Sequence, residues 1–170
     1  VSAPNNAFIQ KYSASKKALN FKLSLSTQLK GESFTENDVL ILDGICPSDE
    51  QDNLELLNRC EFYPEEKELH GMSFRASVKV ISDGKVSYSK NYITVENASK
   101  AYIFFTTENS FNGFDKHPAL EGKEYKNACL KMLESVSAVD YKTLKKSHTD
   151  DFTALFSRVS LDLGSDNKGD

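Results

Sequence analysis

Apolar and polar residues alternate with a period of two along much of the first two thirds of the chain, the mark of strands with one face on a core. Phe21, Leu23 and Leu25 alternate with Lys22, Ser24 and Ser26, and Phe8-Ile9-Gln10-Lys11-Tyr12 predicts a strand just before them. Val39-Leu40-Ile41-Leu42 is continuously apolar, which fits a strand buried on both faces. Phe74, Ala76, Val78 and Val80 alternate with Arg75, Ser77 and Lys79 up to Asp83-Gly84, with Val86 and Tyr88 beyond. Both residues of that dipeptide tolerate positive φ, so the segment reads as a hairpin. Tyr92 to Val95 and Ala101 to Thr107 supply two more strands. Short antiparallel strands joined by tight turns predict a β-sandwich over residues 1–120.

The pattern breaks twice. Residues 47–68 hold eight acidic side chains against two basic ones, Arg59 and Lys67, around a small cluster of Leu54, Leu56 and Leu57. This reads as a solvated excursion between strands; the functional alternative is a loop that rims a neighbouring cleft. From Glu121 the period becomes helical, with Tyr125, Ala128, Cys129, Met132, Leu133 and Val136 on one face of a first helix. Asp140 is placed as the N-cap of a second, which aligns Tyr141, Leu144, His148, Phe152, Leu155 and Phe156. Arg158 to Gly164 alternates as a short strand, and residues 165–170 form a disordered polar tail. The expected class is mainly β with C-terminal helices: an antiparallel β-sandwich, then two amphipathic helices and a short strand over residues 121–164.

Composition narrows the function classes. At 170 residues the chain is one ordinary domain, large enough to bury a sizeable core. A formal charge of −4, spread along the chain, argues against a surface that tracks nucleic-acid phosphates. No apolar run is long enough to span a bilayer, so no membrane partner is expected. Any targeting signal is expected to lie outside this sequence, since Val1-Ser2-Ala3-Pro4 carries no apolar leader. Three cysteines, Cys46, Cys60 and Cys129, are too few for a disulfide framework, and an odd count leaves at least one thiol; Cys46 and Cys60 could pair across a loop.

Candidate chemistry is sparse. His70, His117 and His148 fall in three different elements, none with a His or Cys partner at ligand spacing, so no metal is expected. There is no Gly-rich phosphate loop and no Gly-x-Ser-x-Gly elbow, so no cofactor and no catalytic residue are assigned. One segment stands out, Thr107 to Pro118, where Phe111 and Phe114 flank Asn112-Gly113 between a strongly apolar strand and the first helix. Either both rings plug the junction between sandwich and helices, or Phe111, Asn112, Phe114 and Asp115 face a sugar, whose apolar faces and hydroxyls suit aromatics and amides.

Four segments carry a resemblance: Ser2-Ala3-Pro4-Asn5-Asn6 with Leu19 to Leu25; Gly71-Met72-Ser73-Phe74; Ser110 to Lys116; and His148-Thr149-Asp150-Asp151-Phe152 through Leu155-Phe156-Ser157-Arg158-Val159-Ser160-Leu161-Asp162-Leu163-Gly164. In order and spacing they resemble glycoside hydrolase family 95, the α-L-fucosidases and related α-L-galactosidases, the first of them looking like the family's paired strands after its Ser-Ala-Pro-Asp stretch. The resemblance implies the later part of a large N-terminal β-supersandwich followed by a helical linker. It also implies inverting hydrolysis of terminal α-L-fucosyl linkages on glycans without a metal, by groups in an (α/α)6 barrel beyond Gly164. That barrel would be the partner in the same polypeptide, with export to the periplasm or beyond. A sandwich lacking its first strands would expose an edge, so either the remaining strands close it or two copies pair as a homodimer.

Overall fold

The computed structural model describes residues 1–48, 63–66, 68, 70–161 and 164. These form eight strands, β1 (Phe8–Ser13), β2 (Leu19–Ser24), β3 (Lys30–Glu36), β4 (Val39–Ile45), β5 (Ser73–Ser82), β6 (Lys85–Ser89), β7 (Tyr92–Ala98) and β8 (Lys100–Asn109), and two helices, α1 (Lys126–Ser137) and α2 (Tyr141–Phe156). A five-stranded antiparallel sheet, ordered β1-β8-β5-β4-β3, faces a three-stranded antiparallel sheet, ordered β2-β7-β6. The protein is thus a β-sandwich with helices attached, as its alternation predicts. Between the sheets, Leu40, Val78, Val80 and Ile103 pack on Ile93, Val95 and Ala98, with Phe21, Leu23 and Val86 around them.

The helices form a third layer. Val39, Ile41 and Phe104 on the outer face of the five-stranded sheet pack against Leu133 and Val136 of α1 and Leu144 of α2. The central sheet is therefore buried on both sides, which explains the unbroken apolar run of β4. It also changes the face that carries Arg75 and Ser77: alternation makes these polar positions, yet both are buried beneath α1. The helix comes close because small side chains face it. The Cys129 thiol sits 3.4 Å from the Ser77 hydroxyl, and the Thr106 hydroxyl donates to the Cys129 carbonyl at 3.2 Å.

Several expectations are corrected. β5 and β6 are not a hairpin; they belong to different sheets, and β6 pairs with β7. Neither Asp83 nor Gly84 is at positive φ. The Asp83 carboxylate instead braces the neighbouring β7–β8 turn, accepting from the Ser99 and Lys100 amides at 2.8 Å each and from the Ser99 hydroxyl. Gly84 has a packing reason, since a Cβ there would run into the Glu96 carbonyl and Ala98. Tight two-residue hairpins lie elsewhere: at Asn37-Asp38, both at positive φ between β3 and β4, and at Lys90-Asn91 between β6 and β7. β3 itself is a polar edge strand with no apolar alternation to announce it. Thr35 within it donates to the Lys90 and Ser89 carbonyls at 2.9 and 2.6 Å, tying the two sheets at that edge.

β1 and β2 do not pair with each other but with β8 and β7. Residues 158–161 are exposed and not in a strand; the Arg158 and Val159 amides instead donate back to the Leu155 and Phe156 carbonyls at 3.2 and 3.3 Å, closing off the end of α2. Asp162, Leu163 and the tail expected over residues 165–170 lie outside the described residues. The centre of the acidic excursion, residues 49–62, and Cys60 also lie outside them. Asp140 does cap α2, accepting from the Lys142 and Thr143 amides at 3.0 and 3.1 Å.

Two outcomes follow from these contacts. Replacing Cys129→Leu over Ser77 and Thr106 overpacks this buried helix–sheet contact, and chemical denaturation is expected to show a loss of about 1–3 kcal/mol. The Ser99 hydroxyl, with the Lys100 and Ser99 amides, holds Asp83 at about 2, below its ordinary 3.8. A depressed carboxylate contributes stability above its ordinary value and loses it as pH falls through the folded value. Asp83→Asn should therefore flatten the fall in Tm between pH 3.8 and about 2 relative to wild type, read by thermal melts across that range.

Candidate functional site

The loop between β8 and α1 is a braced excursion whose ends meet. At its start the buried Ser110 exchanges hydrogen bonds with Ser73 of β5: the Ser110 amide donates to the Ser73 carbonyl at 2.8 Å, and the Ser73 amide donates to Ser110 Oγ at 3.0 Å. At its end the Lys123 amide donates to the Ser110 carbonyl at 3.1 Å. Inside, Asn112 Nδ2 donates to the Glu121 carbonyl at 2.8 Å, and the Glu121 amide donates to the His117 carbonyl at 2.8 Å. His117 Nδ1 accepts from the Ala119 and Leu120 amides at 3.2 and 3.3 Å. Gly113, at φ 123°, turns the chain where a side chain would be strained.

This bracing throws the aromatic rings outward. Phe114 is 98% exposed and Phe111 54% exposed, so neither plugs the junction between sandwich and helices. Of the four candidate residues, Asn112 is committed to the loop's own backbone, and Asp115 is exposed beside the rings. Three concavities lined by described residues include none of the four. They are a groove along Ile81, Tyr102, Val139 and Tyr141, a cleft at Ile9, Leu144 and His148, and a recess at Cys46, Tyr63 and His70. What the loop offers is two open aromatic faces on a rigid support, suited to stacking on a sugar ring or on another protein surface.

Behind the loop runs a row of charges under α1. Asp43, Arg75 and Glu108 are cross-strand neighbours on β4, β5 and β8. Arg75 donates to both Asp43 carboxylate oxygens, at 2.6 and 2.7 Å. Lys126, at the start of α1, reaches Asp43 at 3.2 Å, and Lys123 reaches Glu108 at 3.0 Å. Burial pushes the Asp43 carboxyl up, but hydrogen bonds and charge from Arg75 and Lys126 outweigh it and hold the group below its ordinary value. The hydrogen bond to Asp43 in turn raises Arg75, against the opposing effect of burial. This row fixes where the loop ends and the helix begins.

No family model matches the chain. Over 95% of its length, however, the chain is 28% identical to Alpha-L-fucosidase 2 of Arabidopsis thaliana. The chain resembles part of a fucosidase. It spans only 20% of that relative's length.

The charge row was not legible as a unit in the sequence. Its one signal is an Asp directly after the apolar run of β4 in the same strand, since a carboxylate in a strand buried on both faces needs a cationic partner. Asp43→Asn would leave the buried Arg75 guanidinium short of its counter-ion. Denaturant titration should show a loss of about 3 kcal/mol, the scale for breaking a buried pair from one side.

Proposed function

We propose that this chain is a non-catalytic part of a larger, inverting α-L-fucosidase-like glycoside hydrolase of family 95: the later part of its N-terminal β-domain with the helical linker that follows. One observation carries the reading: the identity runs over 95% of this chain while occupying 20% of a fucosidase. On this reading the chemistry sits in an (α/α)6 barrel elsewhere in the same polypeptide. There a general acid and a water-activating base cleave terminal α-L-fucosyl linkages of glycans, and the present unit packs against or rims that barrel. A glycosidase general acid needs a raised pKa, whereas Asp43, Asp83 and Asp140 are all held down by their hydrogen-bond partners and so do not suit that role. Phe111, Asn112, Phe114 and Asp115 form the contact surface, toward carbohydrate or the barrel.

A second reading, a carbohydrate-binding module without hydrolytic activity, is favoured by the near-complete exposure of Phe114. Assays on an aryl α-L-fucoside should find turnover by the longer enzyme and none by residues 1–170 alone; turnover by the isolated chain would overturn the proposal. Calorimetric titration of the isolated chain with a fucosylated oligosaccharide separates the two readings. Binding that Phe114→Ala abolishes would favour the module.

A further inference from the structure

The chain contains a single Asn-x-Ser/Thr triplet, Asn97-Ala98-Ser99, at the crossing from β7 to β8. Period-2 alternation would bury Asn97, because it shares its parity with Ile93 and Val95, both fully buried between the sheets. A bulge prevents this. Leu19 pairs with Ala98 and Phe21 with Val95, so Glu96 and Asn97 of β7 together face Asn20 of β2. Asn97 takes φ 54°, a left-handed conformation that Asn tolerates better than most side chains, and its amide donates to Asn20 Oδ1 at 3.0 Å. Ala98 then fills the core position, at 0% exposure, and Asn97 turns out to solvent. Its carboxamide makes no hydrogen bond among the described residues. A left-handed φ alone is met by Gly with less strain, so what Asn adds at this position is an outward amide that no structural contact uses. Two residues on, Ser99 is held in place by the Asp83 carboxylate, which accepts from its amide and its hydroxyl.

We infer that Asn97 is the acceptor of an N-linked oligosaccharide, with Ser99 completing the acceptor triplet. The donor is an oligosaccharide carried on a polyprenyl diphosphate. Asn97 Nδ2 forms a bond to the anomeric carbon, and the bond from that carbon to the diphosphate oxygen breaks. The polyprenyl diphosphate leaves, and one Nδ2 proton passes to a base. The modification is independent of fucosidase chemistry and requires passage past a membrane that holds the lipid-linked donor. It is also compatible with the Phe111–Asp115 contact surface. Ser99 precedes β8 and that loop follows it, so the ten residues of the strand set the two roughly 30 Å apart. A bulky, hydrated group at Asn97 therefore leaves the loop open.

Peptide mass spectrometry on the protein recovered from its own source tests this. Trypsin releases residues 91–100, with Asn91 and Asn97 both inside. Enzymatic removal of N-linked glycans in heavy-oxygen water should convert Asn97 to Asp carrying one heavy oxygen and leave Asn91 unchanged. Recovery of Asn97 wholly unmodified would overturn the inference, whatever a foreign host does to the chain. Secretion from a eukaryotic host assigns the residue. There the wild-type chain should lose apparent mass on deglycosylation, and Asn97→Asp, which keeps a side chain suited to φ 54°, should abolish that shift. A shift that persists in Asn97→Asp would place the glycan elsewhere and sink the inference.

Discussion

A central sheet covered on both faces leaves a charged side chain no water to face, and Arg75 is where that constraint acts. Its guanidinium lies under α1, so it must be paired in place, and Asp43 on the adjacent strand meets both of its donors. Lys126 then closes on the same carboxylate from the helix above. The pairing does more than neutralise: it fixes the first turn of α1 over β4 and β5, and so fixes where the preceding loop must end. Lys123 on Glu108 and the Ser110–Ser73 exchange complete the anchor. The outward rings of Phe111 and Phe114 are a consequence of a loop held tightly at both ends.

The same third layer sets the second surface. α2 is capped by Asp140 and seated by Leu144, and its last turns leave Phe152, Leu155 and Phe156 exposed. Two kinds of apolar exposure therefore coexist. One is a loop-borne aromatic pair beside polar side chains, the other a helical stripe with stacked rings. They differ in chemistry, the first suited to carbohydrate or a wet rim and the second to a dry interface. Both lie on a chain that resembles a stretch one fifth the length of a fucosidase.

Much of the fold was legible in the residues. The period-2 runs of β2 and β5 and the apolar stretch of β8 placed their strands, the helical spacing from Tyr125 onward placed α1, and Asp140 announced the start of α2. Legibility failed where a local signal had two physical uses. Asp83-Gly84 favours a turn, but Asp83 spends its carboxylate on the Ser99–Lys100 turn and the chain passes on to the other sheet. β3 is polar because it is an edge strand, so it lacked the alternation that reveals its neighbours. The alternating end from Arg158 lacked a strand to pair with over the described residues. At the candidate site, the sequence singled out Phe111 to Asp115 but not which way the rings point.

By itself the sequence determined the two periodicities, the sandwich-plus-helices class and the residues that would resemble a fucosidase, because these depend only on local spacing and order along the chain. Tertiary structure alone decided which strands share a sheet, that Arg75 and Ser77 are buried, and that Phe152, Leu155 and Phe156 of the α2 stripe are exposed. Each of these turns on what lies across from a residue, and period and propensity describe only the chain beside it.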